Sequence, residues 1–492
     1  MSALSSAAAR AGAERITEEW IRRGIERIAH DSMGGRDTPS RGLDLTAQWL
    51  AGEFGTLGLA PGGDSGRFEQ RYPLSRTRLD GDRSRATFGA GSEHATASAR
   101  RDLVYVFGPR TGRSVRAPVV LAGGALHVDS AKSLDIAGKT LVVVADSRNP
   151  NATPVNQFLA GAFERNPAAV IVVLNNDTTT LARQVANQFR ERTVVPGESD
   201  DDPVVVMVHE RAIARVLQTA GVELATVRGT DRYVTRALPA LDVTVTVANE
   251  GGAGLGAPNV VGILRGSDPV LQDEYIVFSA HMDHVGTNPS ARGDSIWNGA
   301  DDDASGTIGV LELARAFAHP GARPRRSLIF LLVSGEEKGL WGSAWFAEHM
   351  PVRREQVVAN LNMDMIGRNW RDTIAVIGRQ HSDLGATLDR VAAAHPELGM
   401  TPIDDPWPQE NFYVRSDHYN FARRGIPVLF FFNGTHKDYH QPSDSPEKID
   451  AEKEARIVKL VYWLGQAIGN ADARPRWNEE SFKRIVDKQY QP

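Results

Sequence analysis

Residues Asn298-Gly-Ala-Asp-Asp-Asp-Ala-Ser-Gly306 place three consecutive carboxylates in a turn, directly ahead of the apolar-periodic run Thr307 to Phe317. Like charges held this close repel, so a fold that packs them together must supply a counter-charge. A metal ion is the plainest one. A helix N-cap cluster is the alternative, because acids favour helix N-termini, but three acids exceed what one cap uses. Two further polar groups flank the run: His281-Met-Asp283 closes the apolar stretch Tyr275 to Ala280, and Glu336-Glu337 follows the stretch Ser327 to Ser334. Two strand ends and one turn thus each deliver imidazole or carboxylate groups. In open α/β sheets ligands bind outside the carboxyl ends of the strands, which points to a metal site on such a sheet.

The surrounding pattern agrees with that fold class. Strands are expected at 275–280, 327–334, 360–366 and 428–432, with a helix at 307–318 and a closing helix marked by Ile457, Leu460, Val461, Leu464 and Ile468. This alternation predicts an α/β architecture, a mostly parallel central sheet flanked by helices. Nearer the N-terminus, Thr17 can cap a helix through Ala29, and Ala47, Leu50, Ala51 and Phe54 mark a second amphipathic helix. From about Leu103 to Ala225 short β-branched runs dominate, such as Thr140-Leu-Val-Val-Val144 and Val170-Ile-Val-Val-Leu174, and they read as a self-contained β-rich insert. Leu241–Val247 and Asn259–Leu264 read as partner strands across the loop Gly251–Gly256.

Composition narrows the chemistry. The chain has no cysteine, so a metal must take His and carboxylate ligands. A net charge of −5 argues against a nucleic-acid partner, which calls for a basic surplus. No apolar run reaches the ~18 residues that span a bilayer. Met1–Ala13 is rich in Ala and Ser without a long apolar core; it is no intact secretory signal, and both a trimmed remnant and a frayed native end fit it.

His281 and Asp283, two apart on a strand, share a face, so the Asp can orient the imidazole, as carboxylates do for metal-bound histidines. Adjacent Glu336 and Glu337 can divide their roles between a metal ligand and a free base. Asp364, in Asn360-Leu-Asn-Met-Asp-Met-Ile366, is costly in an apolar strand unless paired or metal-bound. His440 lies in the loop Asp438-Tyr-His-Gln-Pro-Ser-Asp444; alone it would read as a surface residue. Asp417-His418 is a supporting or substrate-facing pair, and Trp297, Trp407 and Tyr413 fit pocket walls and ordinary packing equally. Gly63-Asp-Ser-Gly66 is a Gly-rich turn, and no Gly-x-Ser-x-Gly elbow is present.

Taken in order, His281-x-Asp283, Asn298–Gly306, Gly335-Glu-Glu-x-Gly339, Asn362-Met-Asp364 and Tyr439-His440 resemble the M28 family of zinc aminopeptidases, over roughly residues 241–470. The segment Asp135-Ile-Ala-Gly-Lys-Thr-Leu-Val-Val143, with Pro167-Ala-Ala-Val-Ile-Val-Val173, resembles a protease-associated domain. The resemblance implies two Zn²⁺ per chain. Asp301 would bridge them, His281 and Asp364 would complete one ion, and Glu337 and His440 the other. Glu336 would act as general base, Asp283 would orient His281, and a cis peptide would follow the bridging residue at Asp301–Asp302. The implied division is 15–100 for an N-terminal helical part of the catalytic domain, 101–238 for the protease-associated-like insert and 239–492 for the peptidase domain. The implied activity is hydrolysis of the N-terminal peptide bond of peptides or proteins, with export to the periplasm or outside the cell. A carboxypeptidase, a glutaminyl cyclase and a receptor-like binding protein are the alternatives the same fold offers; side-chain preference and oligomeric state are not readable.

Overall fold

The computed structural model describes residues 6–108, 112–146, 153–196 and 203–491. The chain divides into two compact units, one formed by 1–72 with 256–492 and the other by 73–255. Residues 1–5 of the alanine- and serine-rich start lie outside the described residues; beyond them the stretch is helical, as α1 (Ala7–Glu14), capped by Ser6.

The first unit is built on the part of strand β1 (Asn249–Leu264) from Gly256 onward and on β2 (Tyr275–His281), β3 (Ser327–Val333), β4 (Val357–Met363), β5 (Thr373–Ile377), β6 (Thr401–Ile403) and β7 (Val428–Phe432). Their spatial order is β1-β3-β2-β4-β7-β5-β6. The central block β3-β2-β4-β7 is parallel throughout, whereas β1 joins β3 and β5 joins β7 antiparallel. All seven residues of β2 and all seven of β3 are buried, as expected for parallel strands covered on both faces. Alternation sorts their side chains: Val277, Ile329 and Leu331 pack with Phe346 and Phe421 on one face, while Phe278 stacks on Phe330 and lies 5.5 Å from Phe317 on the other. Each such large side chain contributes roughly 1.5–3 kcal/mol on burial.

Helices α2 (Glu18–Ile28) and α3 (Arg41–Thr56) begin at Thr17 and Ser40, whose hydroxyls cap them. With α4 (Gly306–Phe317) and the C-terminal α7 (Ala451–Asn470) they cover the Phe278 face; α5 (Trp341–Glu348) covers the opposite one, and α6 (Leu384–Ala394) packs beside α7. Close packing of α2 on α4 needs Gly24, where a Cβ would stand 2.8 Å from Ile308. Among the described residues no helix is long and apolar enough to cross a membrane.

The second unit holds a six-stranded sheet in the order Tyr233–Ala237, Val119–Gly124, Thr140–Val144, Ala169–Leu174, Val204–His209, Leu103–Phe107, with the four inner strands parallel. Helices connect these strands, so the unit is mixed α/β. Beside it lies a four-stranded antiparallel sheet of Glu93–Ser98, Arg85–Ala90, Asp242–Val247 and Arg113–Arg116. That second sheet widens the unit beyond the expected 101–238, because strands before and after those limits pair within it. It also corrects the expected hairpin. Asp242–Val247 pairs with Arg85–Ala90 and Arg113–Arg116, whereas Val260–Leu264 pairs with β3.

Candidate metal centre

The four parallel strands end on one edge, and each hands its chemistry to that edge. His281 is the last residue of β2, Glu336 and Glu337 follow β3, Asp364 follows β4 directly, and His440 lies in the loop after β7. The turn Ala300–Ser305 brings three acids to the same place at the start of α4. Two groups of ligand atoms result: His281, Asp302 and Asp364, and His284, Asp302, Glu337 and His440, each with its atoms within 4.8 Å of one another.

Asp302 belongs to both. Its Oδ1 lies 3.4 Å from His281 Nε2, and its Oδ2 lies 3.1 Å from His440 Nε2 and 3.7 Å from His284 Nδ1. This corrects the sequence expectation of Asp301 as the bridge. The Asp301 carboxylate turns away: it accepts from the Gly367 amide (2.7 Å) and from His436 Nε2 (3.0 Å). Asp303 caps α4 through the Gly306 amide (2.8 Å) and also accepts from the amides of Met365 (3.1 Å) and His281 (3.2 Å). The three adjacent acids therefore divide into one that fixes a neighbouring loop, one that faces both groups and one that caps a helix. The cis peptide expected at Asp301–Asp302 lies at Asp302–Asp303.

The structure brings His281 and Asp364 together in one group and Glu337 and His440 in the other. His281 Nδ1 donates to the Asp283 carbonyl (3.2 Å), which fixes the tautomer and leaves the Nε2 lone pair facing Asp302 and Asp364 (3.6 Å). The expected orienting role thus falls to the Asp283 backbone. The Asp283 carboxylate Oδ1 stands 3.7 Å from the ring and instead accepts from the Glu336 amide (3.3 Å), while Oδ2 accepts from Thr38 (2.9 Å). Asp364 is held by Ser416 Oγ (2.9 Å). Asp444 accepts from the amides of Asp301 and Asp302, at 3.0 and 3.1 Å.

The donor set fits divalent cations. Asp302 Oδ2, Glu337 Oε1, His284 Nδ1 and His440 Nε2 are buried and have no hydrogen-bond partner, although they lie close together. His284 Nδ1 is only 2.8 Å from Glu337 Oε1, yet off the line a hydrogen bond needs; lone pairs aimed at a common point are what a shared cation requires. Electrostatics agree. Burial pushes the carboxyls of Glu336, Asp303 and Asp364 above the usual carboxylate range, with the negative charge of Asp364 adding for Glu336 and Asp303 and that of Asp302 for Asp364. Burial also opposes ionisation of Asp302, but His284, His281 and His440 outweigh it and hold this carboxyl well below that range.

Residues 259–464 match the family model described as peptidase family M28. The matched stretch carries every residue of the two ligand groups. Similar proteins include a probable leucine aminopeptidase of Arthroderma benhamiae, 30% identical over 207 residues (40% of this chain, 55% of the relative). A probable zinc metalloprotease of Pyrenophora teres f. teres is 39% identical over 236 residues, 44% of this chain and 49% of its own. The chain thus spans about half the length of these relatives. In fold it is similar to an aminopeptidase from Aneurinibacillus sp. strain AM-1, with a TM-score of 0.51 at 19% identity over 95% of this chain and 99% of that one. A zinc aminopeptidase from Bacillus subtilis gives 0.50 at 18% over 93% and 97%.

A small cavity of about 40 Å³ opens beside the ligand groups. Met365, Phe412, Phe430 and Phe432 form its apolar side, and Glu336 lines it next to His281, Asp302 and Asp364. Of the aromatic candidates, Trp297 donates to the His440 carbonyl (3.0 Å). Trp407 packs edge-on against Phe412 and Phe432, and Tyr413 packs among His381, His418 and Tyr419. Asp417 is fully buried, and burial pushes its carboxyl up to about 7; its negative charge in turn raises Glu336.

Two metal-facing residues escaped the sequence reading. No local signal separates Asp302 from its neighbours. His284 stands one residue beyond His-x-Asp, where strand alternation would point it away; β2 has ended by then, so the alternation no longer holds. Arg36, in the Gly34-Gly-Arg36 segment, braces this region. It is fully buried and donates to the carbonyls of Met282 (2.8 Å), Ile28 (2.8 Å), Asn298 (2.6 Å) and Gly299 (2.8 Å). Arg36→Met takes a donor from four buried carbonyls, of which Gly299 keeps the Ala304 amide, and removes a buried cation facing Asp283, Asp302, Asp303 and Asp444. A loss of at least ~3 kcal/mol is expected, read as a lower unfolding midpoint in urea; an unchanged midpoint would refute the bracing role.

Proposed function

We propose that this protein is a metallo-aminopeptidase that uses two Zn²⁺ to hydrolyse the N-terminal peptide bond of peptides. The observation that carries the reading is Asp302, whose two carboxylate oxygens face two separate ligand groups, next to a carboxylate, Glu336, that belongs to neither. His281, Asp302 and Asp364 would hold one ion, and Glu337 and His440 with Asp302 the other. Zinc bound there supplies Lewis acidity and brings the pKa of water toward neutrality. The names of the relatives, leucine aminopeptidase and zinc metalloprotease, support both the metal and the reaction class.

The protein's own groups do the rest. Glu336 lines the cavity with His281, Asp302 and Asp364, and its main chain is fixed by the Asp283 carboxylate. It is placed to take a proton from the attacking water and to return it to the departing amine. The acid-rich floor suits the positive α-amine of an unblocked N-terminus, and the apolar side of the cavity suits an apolar first side chain. Residues 101–238 form a protease-associated-like insert, a reading that the parallel strands Val119–Gly124, Thr140–Val144 and Ala169–Leu174 support. A secreted or periplasmic location rests on the family resemblance, and cell fractionation tests it.

The direct experiment is hydrolysis of Leu-p-nitroanilide by the full chain, beside N-acetyl-Leu-p-nitroanilide and an N-acetylated peptide with a free C-terminus. The free-amine substrate is expected to be cleaved, with chelator abolishing and Zn²⁺ restoring activity. Cleavage of the blocked peptide alone would replace the reading with a carboxypeptidase. Cyclisation of an N-terminal glutamine without peptide cleavage would replace it with a cyclase.

A further inference from the structure

His284 is absent from the ligand set the family resemblance implies, yet it sits in the centre. It is fully buried, and neither of its ring nitrogens has a hydrogen-bond partner. A buried imidazole of that kind is costly unless something satisfies it. His209 Nε2, by contrast, lies 2.9 Å from the Asn176 carbonyl, and His418, also buried without a hydrogen-bond partner, lies stacked on the Phe430 ring rather than among carboxylates. Nδ1 of His284 instead lies 2.8 Å from Glu337 Oε1, off the hydrogen-bonding line, and 3.7 Å from Asp302 Oδ2. The ring is locked in this pose. Its backbone amide donates to the Arg36 carbonyl (3.3 Å). One face rests on Gly299, where a Cβ would stand 2.5 Å from the ring. Its neighbour on the metal side is the His440 ring, edge-on at 5.5 Å.

We infer that His284 is a direct ligand of the ion held by Asp302, Glu337 and His440, so that the two zinc positions are unequal by construction. This rests on the two-zinc reading above. The ion at His284 would have four protein ligands, the number that closes a structural zinc site, whereas the ion at His281, Asp302 and Asp364 would have three and keep an open position. The four-ligand ion would fill first and leave last. The three-ligand ion, on the Glu336 side of the cavity, would exchange readily.

The test uses the full chain and its His284→Ala variant, both stripped with chelator and titrated with Zn²⁺ alone against a chromophoric chelator. Wild type should take up two equivalents whose affinities differ by at least tenfold. In the variant the tighter step should weaken by at least tenfold while the weaker step stays within threefold. Unaltered affinities in a folded variant overturn the inference. X-ray absorption of wild type loaded with one equivalent of zinc keeps the question decidable should the variant not fold. Two imidazoles per zinc are expected, from His284 and His440, and a single imidazole overturns the inference. Wild type that binds fewer than two equivalents overturns the two-zinc reading itself. Two equal sites leave that reading intact and sink only the role given to His284.

Discussion

Glu336→Gln is expected to lower kcat for Leu-p-nitroanilide by about 10²–10⁴-fold, the usual contribution of a general base, while both zinc equivalents remain bound. The separation follows from geometry. Glu336 faces the cavity beside His281, Asp302 and Asp364 but belongs to neither ligand group. Glutamine keeps the size and the backbone contact to Asp283 but cannot accept the proton of an attacking water. The metal-free variant should also be no less stable than wild type. Burial and the charges of Asp417, Asp364 and Glu337 already disfavour an ionised Glu336, so a neutral amide relieves repulsion. Zinc content by mass spectrometry, kcat and an unfolding midpoint on the same preparations decide the matter. A kcat within a few-fold of wild type would show that another group takes the proton. The contrasting substitution is Glu337→Gln, one position on. Both Glu337 oxygens face imidazoles, Oε1 to His284 at 2.8 Å and Oε2 to His440 at 3.1 Å, so it should lose metal rather than only turnover.

That the neighbouring glutamates can divide their roles was legible in the sequence, because the pair follows a strand whose apolar run is unmistakable; which of them is the base came only from the M28 resemblance. Ser327–Val333 is buried along its whole length, and a parallel sheet puts the ends of β2, β3, β4 and β7 on one edge. The strand ends alone point His281, Glu337 and Asp364 to that edge, whereas His440, which alone reads as a surface residue, joined them only through the M28 resemblance. The aspartate run was different. Which of three adjacent acids faces inward depends on the dihedrals of one turn, and those are set from far away. Asp444 binds the amides of residues 301 and 302, and the Gly367 amide claims the Asp301 carboxylate. No periodicity within Asn298–Gly306 encodes contacts reaching 66 to 143 residues along the chain. The same blindness cost His284, where strand alternation was carried past the strand's end. It also cost the pairing of Asp242–Val247, whose sheet partner Arg85–Ala90 is far off in sequence while its neighbour Asn249–Leu264 only looked like a hairpin mate.

Asp302→Asn and Asp301→Asn together put that turn to experiment. Asp302→Asn removes the charge that both ligand groups share. Zinc content should fall from two ions to at most one per chain, and turnover should drop to below about a thousandth, because positioning and polarisation fail with it. Asp301→Asn should behave otherwise. An amide oxygen still accepts from Gly367, and the contact most affected is the one to His436 at 3.0 Å. The expected outcome is two zinc ions retained, substantial turnover, and a stability loss of about 1–3 kcal/mol from a weakened buried hydrogen bond. Adjacent, chemically identical substitutions control for net charge and for local helix effects, so the difference reports side-chain direction alone. If Asp301→Asn emptied the site in a folded protein while Asp302→Asn kept both ions, the bridging role would return to residue 301. The turn would then have to point its carboxylates one residue out of step with the arrangement described above.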